Sequence, residues 1–271
     1  MAATKPLLAV DMHTVVFQSF RTHDVPAWID RCMKTVRDWA AARGFDYRFI
    51  DDRFFDCVPE KYRAKTTDKI MLSDLARLMM SKQLLGEGYQ RTVWVDGDVV
   101  VFAPDSWELP TDHDYYFCYE IMPVNRSSAG FRFDVRANNA VSIFSAGNPF
   151  QDFYIHACEQ IMDGNANPEH WALGTYFLSW LRRAFPLPLL HNVGTFGPRV
   201  LKDLAHGTTD VLPLYVRATN VPLVAANCCV SMRDKLVTSP IEITDDLCTA
   251  AIDRCIESGG EVVNRYLRSI S

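Results

Sequence analysis

No stretch of this chain approaches the ~20 consecutive apolar residues that a membrane helix requires. Its start, MAATKPLLAVDMHTVVF, sets Asp11 and His13 where a signal peptide needs an unbroken apolar core, so the expectation is a cytoplasmic protein without a transmembrane segment. Long runs of like charge are missing too: 28 Lys and Arg face 33 Asp and Glu, a formal net charge of −5, which disfavours a protein that grips nucleic-acid backbones. The eight cysteines, Cys32, Cys57, Cys118, Cys158, Cys228, Cys229, Cys248 and Cys255, include no CxxC pair and no His at zinc spacing. They read as reduced thiols, mostly small core residues. Internal repeats and low-complexity linkers are also lacking. What is present, 48% hydrophobic residues in a chain of 271, suffices for a full core and reads as a single domain over 1–271.

The first strand is expected at His13 to Phe17, where HTVVF is a β-branched run. Pro26 then opens a helix in which Trp28, Ile29, Cys32, Met33, Val36 and Trp39 recur at helical spacing until Gly44. A second strand follows at Tyr47 to Ile50, and such a strand, helix, strand unit is how α/β folds begin. The pattern next predicts a helix from about Thr67 to Leu85, a strand at Arg91 to Val95 and its continuation at Val99 to Phe102. Further strands are expected at Tyr115 to Tyr119 and Ala140 to Phe144. Helices are expected near Pro149 to Met162, His170 to Arg183, Pro198 to His206 and Asp245 to Leu267. This mixture predicts a mixed, mostly parallel central sheet flanked by helices.

The sharpest feature is Trp94-Val95-Asp96-Gly97-Asp98-Val99-Val100-Val101-Phe102. Residues two apart in extended chain point to one side, so Asp96 and Asp98 converge on one cation while Gly97 lets a ligand approach the backbone. Two like charges at the end of a buried strand are costly unless a cation or hydrogen bonds compensate. Oxygen ligands favour Mn²⁺ or Mg²⁺, whose usual second partner is a phosphate or diphosphate. An ordinary Asp-Gly hairpin turn is the plainer alternative.

Upstream, KIMLSDLARLMMSKQLL is apolar over most of its circumference, yet Asp74, Arg77 and Ser81 share one helical face. A carboxylate that accepts beside a guanidinium that donates in a fixed fork suits the neighbouring hydroxyls of a sugar. A solvated face with a local ion pair would look the same.

The order of a helix bearing SDLAR (Ser73 to Arg77), a stop at GEGY (Gly86 to Tyr89) and a strand ending in Asp96-Gly97-Asp98 resembles the glycosyltransferases of the GT-A fold. It is most similar to the retaining DxD families that include Golgi mannosyltransferases and clostridial toxin glucosyltransferase domains, over roughly Phe17 to Phe102. The resemblance implies a GT-A-like α/β nucleotide-sugar-binding fold and a metal-dependent hexosyltransferase. Its substrates would be a UDP- or GDP-sugar donor and the hydroxyl of a glycan, lipid-linked or protein acceptor, with retention.

Carried over, Asp96 and Asp98 would bind the metal and Asp74 and Arg77 would contact donor sugar hydroxyls. Phe17 and Gln18 would stand where the nucleotide base is received, with Phe17 as a plain core residue the equal alternative, and Asn138 or Asn139 would face donor or acceptor. A further metal or diphosphate contact is common in the second half of such chains; His191, His206 and Asn227 are its candidates here. If the reaction inverted the sugar, Glu120, Asp134 or Glu169 would be the available base. Pro198 at a helix start with Arg199 could face an anion, and the loop Pro123 to Arg132 could order over the substrates. Two other readings stand beside this one. The first is a haloacid-dehalogenase-like phosphatase with Asp96 as nucleophile and Asp245 and Asp246 as distal metal pair. The second is a noncatalytic nucleotide-sugar-binding module.

Overall fold

The computed structural model describes residues 12–126, 130–165, 169–229 and 241–267. In chain order the first elements are β1 (Thr14–Ser19), α1 (Ala27–Ala42), β2 (Asp46–Ile50), α2 (Glu60–Arg63), α3 (Lys69–Gly86), β3 (Arg91–Val95) and β4 (Val99–Val101). They continue as β5 (Tyr115–Arg126), β6 (Gly130–Ser145), α4 (Pro149–Gly164), α5 (Thr175–Ala184), β7 (Leu189–Leu190) and β8 (Val193–Thr195). The last are α6 (Pro198–His206), α7 (Leu212–Thr219), β9 (Ala225–Asn227), α8 (Asp245–Glu257) and α9 (Glu261–Asn264). No helix among the described residues is long and apolar enough to cross a membrane.

The architecture is α/β. A six-stranded sheet runs β2-β1-β3-β6-β5-β7, with helices packed against it. β1 lies parallel to both β2 and β3, whereas β6 is antiparallel to β3 and β5. β3 is buried along its whole length and β1 along nearly all of it, which explains the apolar runs Val93–Val95 and Val15–Phe17: a central strand is covered on both faces. α1 is amphipathic, with Trp28, Ile29, Cys32, Met33, Val36, Trp39 and Ala40 turned inward, Pro26 at its N-cap and Gly44 beyond its end at φ 71°. Trp39 stacks on the fully buried Trp107 at 4.0 Å between ring centres and donates its indole N–H to the Trp107 carbonyl at 3.1 Å. All eight cysteines are free thiols.

Several expected elements differ. The chain does not continue in the same sheet beyond Val95: β4 enters a separate three-stranded sheet, β4-β9-β8, pairing Val99 with Asn227 and Val101 with Ala225. The segment Pro123 to Arg132 is not a free loop, since Pro123 pairs with Phe133 and Arg126 with Gly130 in the β5–β6 hairpin; positions 127–129 lie outside the described residues. The helix expected from His170 begins only at Thr175, behind Gly174. The helix expected to reach Leu267 ends at Glu257, because Gly259 and Gly260 take positive φ of 56° and 81°. α7 was not anticipated, its short apolar run being hidden by Pro213.

Because the Trp39 and Trp107 rings are closely stacked and fully enclosed, Trp39→Ala should cost about 3–5 kcal/mol, read as a lower urea midpoint at unchanged slope.

Candidate functional site

β3, a central strand, delivers Asp96 just beyond its C-terminal end, and three neighbouring segments hold the turn that follows. The Asp96 amide donates to the Ala140 carbonyl at 2.7 Å, and the Asp96 carbonyl accepts from Gln18 Nε2 at 3.2 Å and from the Val99 amide at 3.1 Å. The Cys228 amide donates to the Asp98 carbonyl at 2.9 Å, tying the turn to the end of β9. Asp96-Gly97-Asp98 therefore bridges the two sheets, and is not a solvent-exposed hairpin turn. A Cβ at Gly97 would stand 3.1 Å from the Phe20 ring, so the position has little room for a side chain.

α3 supplies the counter-charge. Asp74, Arg77 and Ser81 are buried, which removes the alternative of a solvated face. Arg77 Nη1 lies 3.2 Å from Asp96 Oδ1 and donates to the Asn139 carbonyl at 2.8 Å, while Nη2 lies 3.4 Å from Asp74 Oδ1. The guanidinium also stands over the Trp94 ring, 5.1 Å from its centre. Trp94 Nε1 donates to Asp96 Oδ1 at 2.6 Å, and Asn139 Nδ2 donates to Asp74 Oδ1 at 2.9 Å. Farther along the same face, Ser81 Oγ meets Thr92 Oγ1 at 2.5 Å and accepts from Gln151 Nε2 at 2.9 Å.

Burial dominates the protonation of this cluster. It pushes the Asp74 carboxyl up to about 6 against the opposing pull of Arg77. Burial, reinforced by the charge of Asp96, pushes Asp98 up to about 8. Asp96 is also raised by burial, with Arg77 and the Trp94 indole resisting, although 23% of its side chain stays accessible toward the cavity. For Arg77 burial acts downward, but Asp96 and Asp74 outweigh it and hold the guanidinium above its usual range. Such a group of displaced carboxyls in a cleft is the electrostatic mark of a functional site.

These side chains open onto a cavity of about 420 Å³ whose walls include Asp74, Arg77, Trp94, Asp96, Gly97, Asp98, Asn138 and Asn139. Asn227 lines it as well, delivered beside Asp98 by the β4–β9 pairing, and its Oδ1 is buried without a hydrogen-bond partner. Two carboxylates and an unpartnered amide oxygen form an all-oxygen donor set of the kind a hard divalent cation takes. Among the described residues no three His, Cys, Asp or Glu side chains gather into a metal-binding group, so solvent or a substrate oxygen would complete any coordination shell. Glu120 also lines the cavity, accepting from Asn138 Nδ2 at 3.1 Å, its carboxyl raised by burial.

Other expected residues lie elsewhere. Phe17 is a core residue, wholly enclosed and packed edge-on to Trp94 at 5.2 Å; the ring beside the turn is Phe20. Gln18 is likewise buried, and supports Asp96 from behind while its Oε1 accepts from the Tyr47 hydroxyl at 3.0 Å. His191 packs on Tyr119 at 4.4 Å, His206 ends α6 and Asp134 pairs with Arg132 at 2.7 Å; none of them lines the cavity, nor do Glu169, Pro198 or Arg199. Phe54, Phe55, Trp171, Thr175 and Tyr176 do line it without having been anticipated. The sequence around the last three, HWALGTY, lies within the stretch expected to be helical from His170. The helix begins late because the Gly174 backbone, at φ −101° and ψ −109°, is not helical; Gly174 also packs on Asp74, where a Cβ would stand 2.5 Å from the carboxylate Oδ2.

No family model and no curated protein sequence matches the chain. Solved structures similar to it include a glycosyltransferase involved in the glycosylation of the major capsid of PBCV-1, at 9% identity and a TM-score of 0.48, covering 89% of this chain and 98% of that one. The apo form of mouse xyloside xylosyltransferase 1 aligns at 14% identity and a TM-score of 0.44, covering 81% and 98%. The apo form of the glycosyltransferase GlyE from Streptococcus pneumoniae TIGR4 aligns at 11% and 0.41, covering 94% and 63%.

Two substitutions probe the charge cluster. Arg77→Met strands two buried carboxylates and should destabilise the chain by about 3–5 kcal/mol in thermal or urea unfolding. Gly174→Ala should displace the Asp74 carboxylate and lower stability by about 1–3 kcal/mol, and the companion Asp74→Asn change, which weakens the ion pair to Arg77, should not add to it in full.

Proposed function

We propose that this chain is a GT-A-like, metal-dependent glycosyltransferase that moves a hexosyl group from a UDP- or GDP-sugar to an acceptor hydroxyl with retention. The observation that carries the reading is the meeting of Asp96, Asp98, the unpartnered Asn227 Oδ1 and the Asp74–Arg77 pair on one cavity. Those oxygens suit Mn²⁺ or Mg²⁺, and the cation would supply charge neutralisation for the departing diphosphate.

The protein's own part is positioning. Arg77 holds Asp74 and Asp96 in fixed orientations, and Asn139 locks Asp74 from the other side. Asp74 and Asn139 therefore offer pre-set acceptors and donors to sugar hydroxyls, with little reorganisation on binding. The apolar wall of Phe54, Phe55 and Trp94 suits the face of a base or sugar ring and limits water near the reacting centre.

A dehalogenase-like phosphatase would need a second acidic pair near Asp96. Asp245 instead accepts from the Trp28 indole at 3.0 Å in the first turn of α8, and neither it nor Asp246 lines the cavity.

The test is nucleoside diphosphate release from a panel of UDP- and GDP-sugars with Mn²⁺ or Mg²⁺. Release from one donor should fall by about 100-fold or more in Asp96→Asn and in Asp98→Asn, and chelation of the metal should abolish it. Asn227→Ala should raise the Mn²⁺ concentration needed by about tenfold, followed by electron paramagnetic resonance of bound Mn²⁺. Tight nucleotide binding with no turnover would favour the noncatalytic module, and phosphate release from simple phosphomonoesters would favour the phosphatase.

A further inference from the structure

α5 has two faces with different fates. Leu178 is buried, and Phe177 and Leu181 pack against the same core, Phe177 stacking on Tyr154 at 5.1 Å. Ser179 Oγ accepts from the Ala137 amide at 3.1 Å and donates to its carbonyl at 3.3 Å, pinning the helix to β6. On the other face, Tyr176, Trp180 and Arg183 follow one another at i, i+4 and i+7 and point to solvent. Tyr176 is 42% exposed and Trp180 64%, the most exposed of the large apolar side chains among the described residues. Leaving an indole in water forfeits a large burial gain, and nothing in the packing of α5 requires it.

The place of the stripe gives it meaning. Tyr176 is itself part of the cavity wall that includes Asp96 and Asp98, so the two rings lead from the cavity outward, about 6 Å apart along the helix axis. We propose that Tyr176 and Trp180 form a platform for a saccharide acceptor, the flat C–H face of its sugar rings stacked on theirs and its reacting hydroxyl turned into the cavity. This deepens the transferase reading and rests on it. Arg136, also in the cavity wall, and Arg183, at the far end of the stripe, supply donors for ring hydroxyls on either side. A bilayer is the poorer occupant: a membrane-surface helix shows a broad apolar face, whereas the broad apolar face of α5 is already packed inward. A membrane laid over Tyr176 would also close the cavity to its donor.

The platform is tested by screening wild type, Trp180→Ala and Trp180→Phe on a printed array of neutral and acidic oligosaccharides. Calorimetric titration of the best-retained saccharide follows, with donor hydrolysis by wild type measured in parallel. Saturable saccharide binding is expected in wild type, weakened about tenfold or more in Trp180→Ala and largely restored in Trp180→Phe. Wild type that retains no saccharide, or Trp180→Ala that binds as well as wild type, overturns the proposal. So does binding of wild type to phosphatidylcholine vesicles containing phosphatidylserine that is lost in Trp180→Ala without any saccharide binding. The two readings separate cleanly. Nucleoside diphosphate release with no saccharide retained removes the platform and leaves the transferase standing; Trp180-dependent saccharide binding with no donor turned over removes the transferase and with it the acceptor role, leaving a saccharide-binding stripe.

Discussion

Arg77 places a single guanidinium inside the protein within ion-pair distance of Asp74 and Asp96, and the rest of the cavity is arranged around that charge. Taking one carboxylate out of water is costly, and here Asp74, Asp96, Asp98 and Glu120 line one cavity. One fixed cation, the amide of Asn139 and the indole of Trp94 compensate two of the four. For Asp98, burial and the charge of Asp96 outweigh Arg77 and a backbone hydrogen bond, and its carboxyl is pushed up to about 8. Beside it Asn227 Oδ1 is buried without a partner, so the donor set is rich in oxygen and short of positive charge.

The topology explains why these groups can meet. The chain leaves the six-stranded sheet at Val95 and joins the three-stranded sheet at Val99, so the intervening turn belongs to neither ladder. Its carbonyls are taken up by Gln18, Val99 and Cys228, which leaves the Asp96 and Asp98 side chains to face the cavity. Crevices at such breaks in a sheet are where α/β proteins bind ligands, because backbone and side-chain groups from several elements converge there without being used up in strand pairing. α3 and α5 close the crevice from either side, meeting where Gly174 packs directly on Asp74.

Much of this was legible in the order of residues. The helical recurrence from Trp28 to Trp39, the apolar run into Asp96 and the shared face of Asp74, Arg77 and Ser81 each express a local period that survives in any tertiary setting. The sequence leaves Phe17 open because an aromatic at the end of a first strand suits a nucleotide base and a core equally well; its neighbour Trp94 comes from a distant segment. The Pro123 to Arg132 segment, PVNRSSAGFR, carries no strand-like alternation, and its place in the hairpin is set by pairing with the partner strand. Asn227 could be offered only as one of three candidates. A short Ala-Ala-Asn strand carries almost no periodic signal, and only its pairing with Val99 sets the amide beside Asp98.

The sequence by itself therefore determined the components: an α/β chain, a buried strand ending in two carboxylates, and a helix whose single polar face holds an acid and a base three residues apart. Those follow from short-range periodicity and from the cost of burying charge, which act through residues close along the chain. The tertiary structure alone decided which components share a cavity. It set Asn227 and Glu120 in the site and His191 and His206 outside it, withdrew Phe17 into the core, and carried Tyr176 to the cavity wall with Trp180 exposed beyond. The reason is that strand register and helix docking are settled by packing between segments far apart in the chain: a slip of one residue turns every side chain of a strand to the opposite face and swings those of a helix by about 100°.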